Sequence, residues 1–288
     1  MMRWFVLTLL LLPSAFGQIF QFTPEQMIKF TPKNPFERFL DGRPKAPDSL
    51  LDKMKGLSCE EILGVLNGAK FINQFEGNWR LLHPGRKLIG RAVTAQFMPY
   101  RPDIAEIAEA DAHAKGLGKN ANQRVIDMLQ PGDVLVVDLF GKIEQGTFVG
   151  DNLATAIYSA TRTGFVIDGA IRDLEGIYPI EMGAYFRGVH PSAIGNVMLT
   201  AVNVPVRIGN ATVLPGDVVF GDREGIFFVP PQYLEEIVKR ADETHVHDEW
   251  TKAKFLTGKY KASELYPSPS DPALKKEYQE YLKKRLGH

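Results

Sequence analysis

The chain has 288 residues, 44% hydrophobic and 24% charged, which suits a globular protein with a core of its own. Lysine plus arginine and aspartate plus glutamate both number 34. That balance leaves no global cationic field to gather phosphates or anionic lipid, so nucleic acid is not an expected partner.

The first residues, MMRWFVLTLLLLPSAFGQ, place a positive charge at Arg3, an apolar run from Trp4 to Leu12 and a small-residue site at Ala15-Phe16-Gly17. This is the layout of a secretory signal peptide. A membrane span needs about 20 apolar residues, and Pro13 ends the run well before that. The expectation is cleavage after Gly17, a mature start at Gln18, export to the periplasm or the extracellular space, and no membrane attachment afterwards. Cys59 is the only cysteine, so no intrachain disulfide can form. Its place in LSCEEILGVL suggests a buried helix position rather than a nucleophile.

Residues 18–55, rich in proline and phenylalanine with little periodicity, read as an extended arm with one short helix near Pro24 to Phe30. Ser58 and Glu61 form a capping-box pattern that starts a helix running to about Leu66. A strand is predicted over Gly90–Phe97, helices over about 103–114 and 122–129, and a strand buried on both faces in QPGDVLVVDLFG. A helix over about Leu153–Thr163 and a strand over Gly164–Asp168 complete a βαβ unit with a right-handed crossover. Further strands are expected at Ala184–Arg187, Asn203–Ile208, Ala211–Val213, Asp217–Gly221 and Gly225–Val229. A long helix follows Pro231, and a charged helix ends the chain. The core is therefore α/β and spans 56–245, with a helical extension over 246–288.

The segment GDNLATAIYSATRTGFVIDGAIRD, residues 150–173, holds the candidate chemistry. A Gly-Asp pair before a helix exposes backbone N–H groups without intrahelical partners, which bind anions such as carboxylate. Gly150, Asp151, Asn152 and Leu153 could form such a cradle; Asp151 could equally be a simple N-cap. Arg172 offers a planar charged fork for a carboxylate or an oxyanion. Asp173 offers a hard oxygen ligand for Mg²⁺, which keeps several waters and uses one or two protein carboxylates. Adjacent strand residues face opposite ways, so the pair can serve one site only beyond the strand end, and a solvated ion pair is the alternative. No GxGxxG follows a strand into a helix, no GxxxxGK[ST] occurs, and GxSxG is absent. His245 and His247 in THVHDEW fall on different helix faces and read as solvated.

The ordered set GDVLVVDLFG, GDNLATA, TGFVIDGAIRD, AYFRGVHP and NVPVRIGNATVLPGDVVFGDREGIFFVP resembles the RraA-like family, which includes 4-hydroxy-4-methyl-2-oxoglutarate aldolases. The resemblance covers roughly residues 58–245. It implies a β/β/α swivelling-type domain, assembled as a homotrimer or homohexamer with sites at subunit interfaces. It also implies that Gly150 to Leu153 hold a small 2-oxo acid through backbone amides, that Arg172 contacts it, and that Asp173 binds Mg²⁺ or Mn²⁺, making Arg172 and Asp173 the catalytic pair. The implied reaction is retro-aldol cleavage of a 4-hydroxy-2-oxo acid, releasing pyruvate, or decarboxylation of oxaloacetate. Aldolase members often carry an acidic residue three positions after the metal aspartate; this chain has Gly176 there, with Glu175 one position early. The proton acceptor is either a metal-bound water or a carboxylate such as Glu235 or Glu236 from a neighbouring subunit. A regulatory protein resembling the inhibitors of ribonuclease E is the alternative, which retention of Arg172-Asp173 and export from the cytoplasm both disfavour.

Overall fold

Residues 20–287, except residue 115, are described by a computed structural model; the expected leader, residues 1–17, lies outside them. The chain opens with α1 (Pro24–Phe30), α2 (Asp48–Met54) and α3 (Cys59–Gly68), then β1 (Phe75–Glu76), β2 (Arg80–Leu81) and β3 (Leu88–Pro99). Helices α4 (Pro102–Ala114) and α5 (Ala121–Ile126) lead to β4 (Asp133–Val149), α6 (Asp151–Thr161), β5 (Gly164–Ile171), α7 (Leu174–Ile177) and β6 (Gly183–Val189). Strands β7 (Val197–Val202), β8 (Val206–Ile208), β9 (Ala211–Val213), β10 (Val218–Gly221) and β11 (Ile226–Val229) follow, and then α8 (Leu234–Leu256), α9 (Ala262–Leu265) and α10 (Pro272–Leu286).

The apolar runs of β4 and β5 need cover on both faces, and the sheet places them at its centre. Its order is β1-β11-β10-β3-β4-β5-β6-β2, with β7 also paired to β3. Strands β3 to β6 are parallel, and the outer pairings are antiparallel. All eight residues of β5 are buried. One face carries Leu135, Val137, Phe165 and Ile167 against Ile126, Ala154, Ile157 and Ile177 of the helices. The other carries Val134, Val136 and Val166 against Val206, Ile208, Ala211 and Val213 of the β8–β9 hairpin. A third apolar cluster joins α2, α3 and α8 to β10 and β11. Hairpin, sheet and helices thus stack as β/β/α layers, and the α/β reading is borne out.

Several elements depart from the sequence reading, among them the short β1, β2, α7 and α9, which were not expected. The arm is packed rather than loosely extended: Met27 is 1% exposed, Arg43 2% and Met54 0%. Its second helix, α2, is too short for its two buried residues, Leu51 and Met54, to register as a period. Strand β7 was not expected, and the strand expected over Asn203–Ile208 shrinks to β8. Asn196 and Asn203 take positive φ values of 53° and 48°, so each asparagine is a turn and VMLTAV between them is the strand. The capping box at Ser58 forms, with its N–H donating to Glu61 at 2.6 Å. Among the described residues no helix is long and apolar enough to cross a membrane.

Buried acids are treated unequally. Asp133 faces Arg43 at 3.1 Å and Asp168 faces Arg187 at 2.7 Å. Asp217, 4% exposed, accepts the Leu214 N–H at 2.8 Å and has no ion pair among the described residues. Burial therefore lifts its carboxyl from 3.8 to about 7. An acid with a raised folded pKa ionises first in the unfolded chain, so its contribution to stability is lost as pH climbs from about 4 to 7. Asp217→Asn is expected to lack that loss and to be more stable at pH 8 by on the order of 1–3 kcal/mol. Urea midpoints across this range check it; a difference between variant and parent that is independent of pH would contradict it.

Candidate functional site

The residues singled out in the sequence sit at the two ends of one helix-strand segment. Helix α6 leads away from residue 150 and β5 returns to residue 171, so the segment closes on itself and the Arg172 N–H donates to the Val149 carbonyl at 3.0 Å. Val149 reaches that place because β4 makes an excursion. Its first stretch runs beside β5 as far as Asp138 with Asp168; Lys142 then pairs with Gly169, Thr147 with Ala170 and Val149 with Ile171. Phe140, Gly141 and Gln145 take positive φ values of 43°, 72° and 56°, which turn the intervening chain out and back.

Gly150 is the N-cap of α6 and has no side chain to satisfy the first turn. Asp151 is therefore not the cap; its Oδ1 accepts the neighbouring Asn152 N–H at 2.7 Å. The amides of Asp151 and Leu153 retain no intrahelical acceptor, as first-turn groups do. A Cβ on Gly150 would lie 2.2 Å from Oδ2 of Asp173 and 3.2 Å from Nε of Arg172. Only bare backbone lets the acid and the guanidinium rest against the cap.

Strand β5 ends at Ile171, and Asp173 adopts φ 56° and ψ 43°. That left-handed turn breaks the alternation of strand side chains, and Arg172 Nε lies 3.3 Å from Asp173 Oδ2. The Gly176 position also acquires a reason. A Cβ there would fall 2.7 Å from both Cβ and Oδ2 of Asp151. The Asp151 carboxylate occupies the space that a side chain at 176 would otherwise enter.

Two depressions share Arg172 as a wall. A cavity of about 630 Å³ is lined by Gly150, Asn152, Leu153 and Arg172, with Lys119 and Gln123 among the residues opposite. A smaller one, about 220 Å³, is lined by Arg172, Asp173, Leu174, Val189, His190 and Pro191. Lys119, Gln123 and His190 were not singled out from the sequence. The first two arrive only because α5 packs on β4, where Asn122 donates to the Phe148 carbonyl at 2.8 Å. His190 had a readable signal: it follows the carboxyl end of β6, the strand beside β5, where α/β sheets place ligands. His190 Nδ1 lies 2.9 Å from the Ser192 hydroxyl and 3.2 Å from the Ser192 N–H, which it accepts when the ring proton sits on Nε2.

Asp173 is half exposed and offers carboxylate oxygen beside backbone, a hard donor set that fits Mg²⁺ or Mn²⁺ retaining several waters. Among the described residues, the one cluster of three close ligand-type side chains lies elsewhere, at Cys59, Asp222 and Glu224. There burial and the Asp222 carboxylate push the thiol well above its ordinary range, and Sγ donates to Asp222 Oδ1 at 3.1 Å. Cys59, 2% exposed, thus pins α3 to the β10–β11 turn. Of the α8 histidines, His245 is exposed as expected and His247 is not. His245 is 2.6 Å from Glu61, and the His247 ring is half-buried against Tyr266 and Tyr278.

The profile of the family described as RraA-like, Aldolase/RraA, matches residues 59–228. The chain belongs to the RraA-like family. A protein of Halalkalibacterium halodurans named "Putative 4-hydroxy-4-methyl-2-oxoglutarate aldolase" is 30% identical over 119 residues, 41% of this chain and 56% of that one. Protein DlpA of Legionella pneumophila is 28% identical over 214 residues, 73% of this chain but 32% of its own length. The chain therefore spans about half and a third of these two relatives. Among solved structures, RraAS2 of Streptomyces coelicolor, titled an unusual member of the RNase ES inhibitor RraA protein family, aligns with a TM-score of 0.58 at 26% identity, covering 77% of this chain and 100% of that one. A Pseudomonas syringae pv. tomato protein aligns with a TM-score of 0.61 at 24% identity, over 74% and 95%, and shares the fold.

Gly150→Ala tests the contact at the heart of this geometry. Displacing Asp173 is expected to weaken Mn²⁺ binding by about tenfold or more with the circular dichroism spectrum unchanged. Unaltered Mn²⁺ affinity, measured by calorimetry, would contradict the arrangement.

Proposed function

We propose that the protein is a divalent-metal-dependent lyase that cleaves a 4-hydroxy-2-oxo acid to release pyruvate, or decarboxylates oxaloacetate. The observation that carries this reading is the position of Arg172 as the common wall of two depressions, one bounded by the Gly150–Leu153 cap and the other by Asp173. The aldolase names of relatives support it.

Both reactions break the C3–C4 bond and leave the electron pair in the enolate of pyruvate. Unpartnered amides at the start of α6 suit the substrate carboxylate. The Arg172 guanidinium faces the charge that grows on the C2 oxygen, so it interacts more strongly with the transition state than with the ground state. His190 lines the same depression as Asp173 and, in its Nε2–H form, supplies a further donor there. A divalent ion held by Asp173 would act as a Lewis acid toward the same oxygen. Asp151 keeps a carboxylate above Gly176, where it can order solvent around that position.

Glu235 and Glu236 are exposed on α8 and line neither depression, so as proton acceptors they require a second copy of the chain. We propose a homotrimer or homohexamer on that ground. Exposed apolar side chains at Met98, Tyr100, Ile104 and Ile107, between 41% and 57% accessible, support it. Export after cleavage at Gly17 belongs to the same proposal. The likeness to RraAS2 favours a second reading, a regulatory binding protein without catalysis.

Assay of the chain from Gln18 against oxaloacetate and a panel of 4-hydroxy-2-oxo acids separates the two. Pyruvate release is expected only with Mg²⁺ or Mn²⁺, and Asp173→Asn and Arg172→Lys should each lower kcat/KM by about 10²-fold or more. Activity indifferent to chelator and to Asp173→Asn would overturn the assignment, and inertness toward the whole panel would favour the second reading.

A further inference from the structure

The amino-terminal arm lies outside residues 59–228 of the family match, yet it closes a separate cavity against the core. This cavity, about 360 Å³, lies between the Phe30–Asn34 stretch of the arm, the turn ending at Asp217 and the Pro230–Gln232 segment. Its volume falls within the range of small-molecule sites, about 300–1,000 Å³. Neither Arg172 nor Asp173 touches it.

The arm is braced internally on this side. Arg38 donates to the Thr31 hydroxyl and carbonyl, each at 2.7 Å, and to the Gly42 carbonyl at 2.8 Å. Phe71 is fixed edge-on against Tyr233, with ring centroids 5.1 Å apart. Phe30, Pro32, Phe71, Leu214, Pro230 and Pro231 give the cavity mostly apolar walls. Gln74 spends its amide donors on the Thr212 and Phe228 carbonyls, at 3.2 and 2.7 Å, so it offers the cavity no free N–H of its own.

Asp217 is the exception in this lining. It is a deeply buried carboxyl with one backbone donor, whereas buried Asp133 and Asp168 each face an arginine. Lys33 lines the same cavity but is exposed and makes no ion pair with Asp217. Buried carboxylates are ordinarily paired, and leaving one without a cation costs stability. What this carboxyl lacks is a positive charge, and aromatic walls attract organic cations through their ring faces.

We infer that the cavity between the arm and the Asp217 turn is a binding site for a small organic ammonium ion with a flat apolar body. The ammonium group pairs with the Asp217 carboxylate, and the body rests on the aromatic and proline walls. Asp217 and Phe71 lie within residues 59–228 of the family match, and the arm, outside it, supplies the facing wall.

Titration calorimetry of the full chain from Gln18 with phenethylamine tests this, with 2-phenylethanol and 3-phenylpropionate as neutral and anionic probes of the same body. The amine is expected to bind at least about tenfold more tightly than the alcohol, and the carboxylate not at all. Asp217→Asn, which keeps shape and is expected to fold, should bring amine and alcohol to equal affinity. Phe71→Ala, checked for an intact melting transition, should weaken both. Equal binding of amine and alcohol to the parent chain, amine binding unchanged in Asp217→Asn, or no amine binding into the millimolar range would each overturn the inference.

Discussion

The hydrogen bond from the Arg172 N–H to the Val149 carbonyl joins two stretches of chain that separate at residue 150 and meet again at residue 172. Everything proposed for the site depends on this closure. It sets the start of α6 beside the end of β5, and it leaves so little room that only glycine fits at 150, where a Cβ would strike Asp173. The closure rests in turn on the β4 excursion, because a β4 that continued past Asp138 without it would not bring Val149 beside Ile171. Packing holds the frame rigid: every residue of β5 is buried, as are Phe148 and Val149. A site mounted on such elements keeps its geometry better than one carried by surface loops.

Much of this was legible in the sequence. The buried runs of β4 and β5 announced themselves as uninterrupted apolar stretches, and the spacing from Gly150 to Asp173 placed the candidate residues at the ends of one helix-strand segment. What could not be read was the path between Asp138 and Val149. Phe140 and Gln145 take left-handed conformations that their residue types do not advertise, unlike Gly141 beside them. Asp151 shows a further limit. Its residue type suits an N-cap, but the cap falls to Gly150 because the close approach of Asp173 excludes any side chain there. Lys119 and Gln123 join the cavity by packing across long sequence distance, which no local pattern encodes. The Gly176 position, a departure from the aldolase pattern, became intelligible only with Asp151 seen against it.

The molecule also separates stability from use. Arg43 with Asp133 and Arg187 with Asp168 satisfy their buried charges internally, as expected of a fold that keeps them for structure. Cys59 stays a protonated thiol tied to the Asp222 turn. Asp217 breaks this pattern in a cavity that the arm closes, and Arg172 with Asp173 breaks it at the surface, where each is partly exposed and only loosely paired. Perturbed or underpaired charges of this sort mark functional positions more often than structural ones. On the two proposals made above, the RraA-like core and the arm contribute distinct recognition surfaces at separate places on the chain.

The central claim is that the Gly150–Leu153 cap, Arg172 and Asp173 together stabilise the enolate of pyruvate. Proton NMR of pyruvate in D₂O measures this without knowledge of the natural substrate, since enolate formation exchanges the methyl protons for deuterium. The account predicts loss of the methyl signal with enzyme and Mg²⁺ and its persistence with Arg172→Lys or with chelator. Methyl exchange no faster than in enzyme-free buffer, or equally fast in the Arg172 variant, would contradict it.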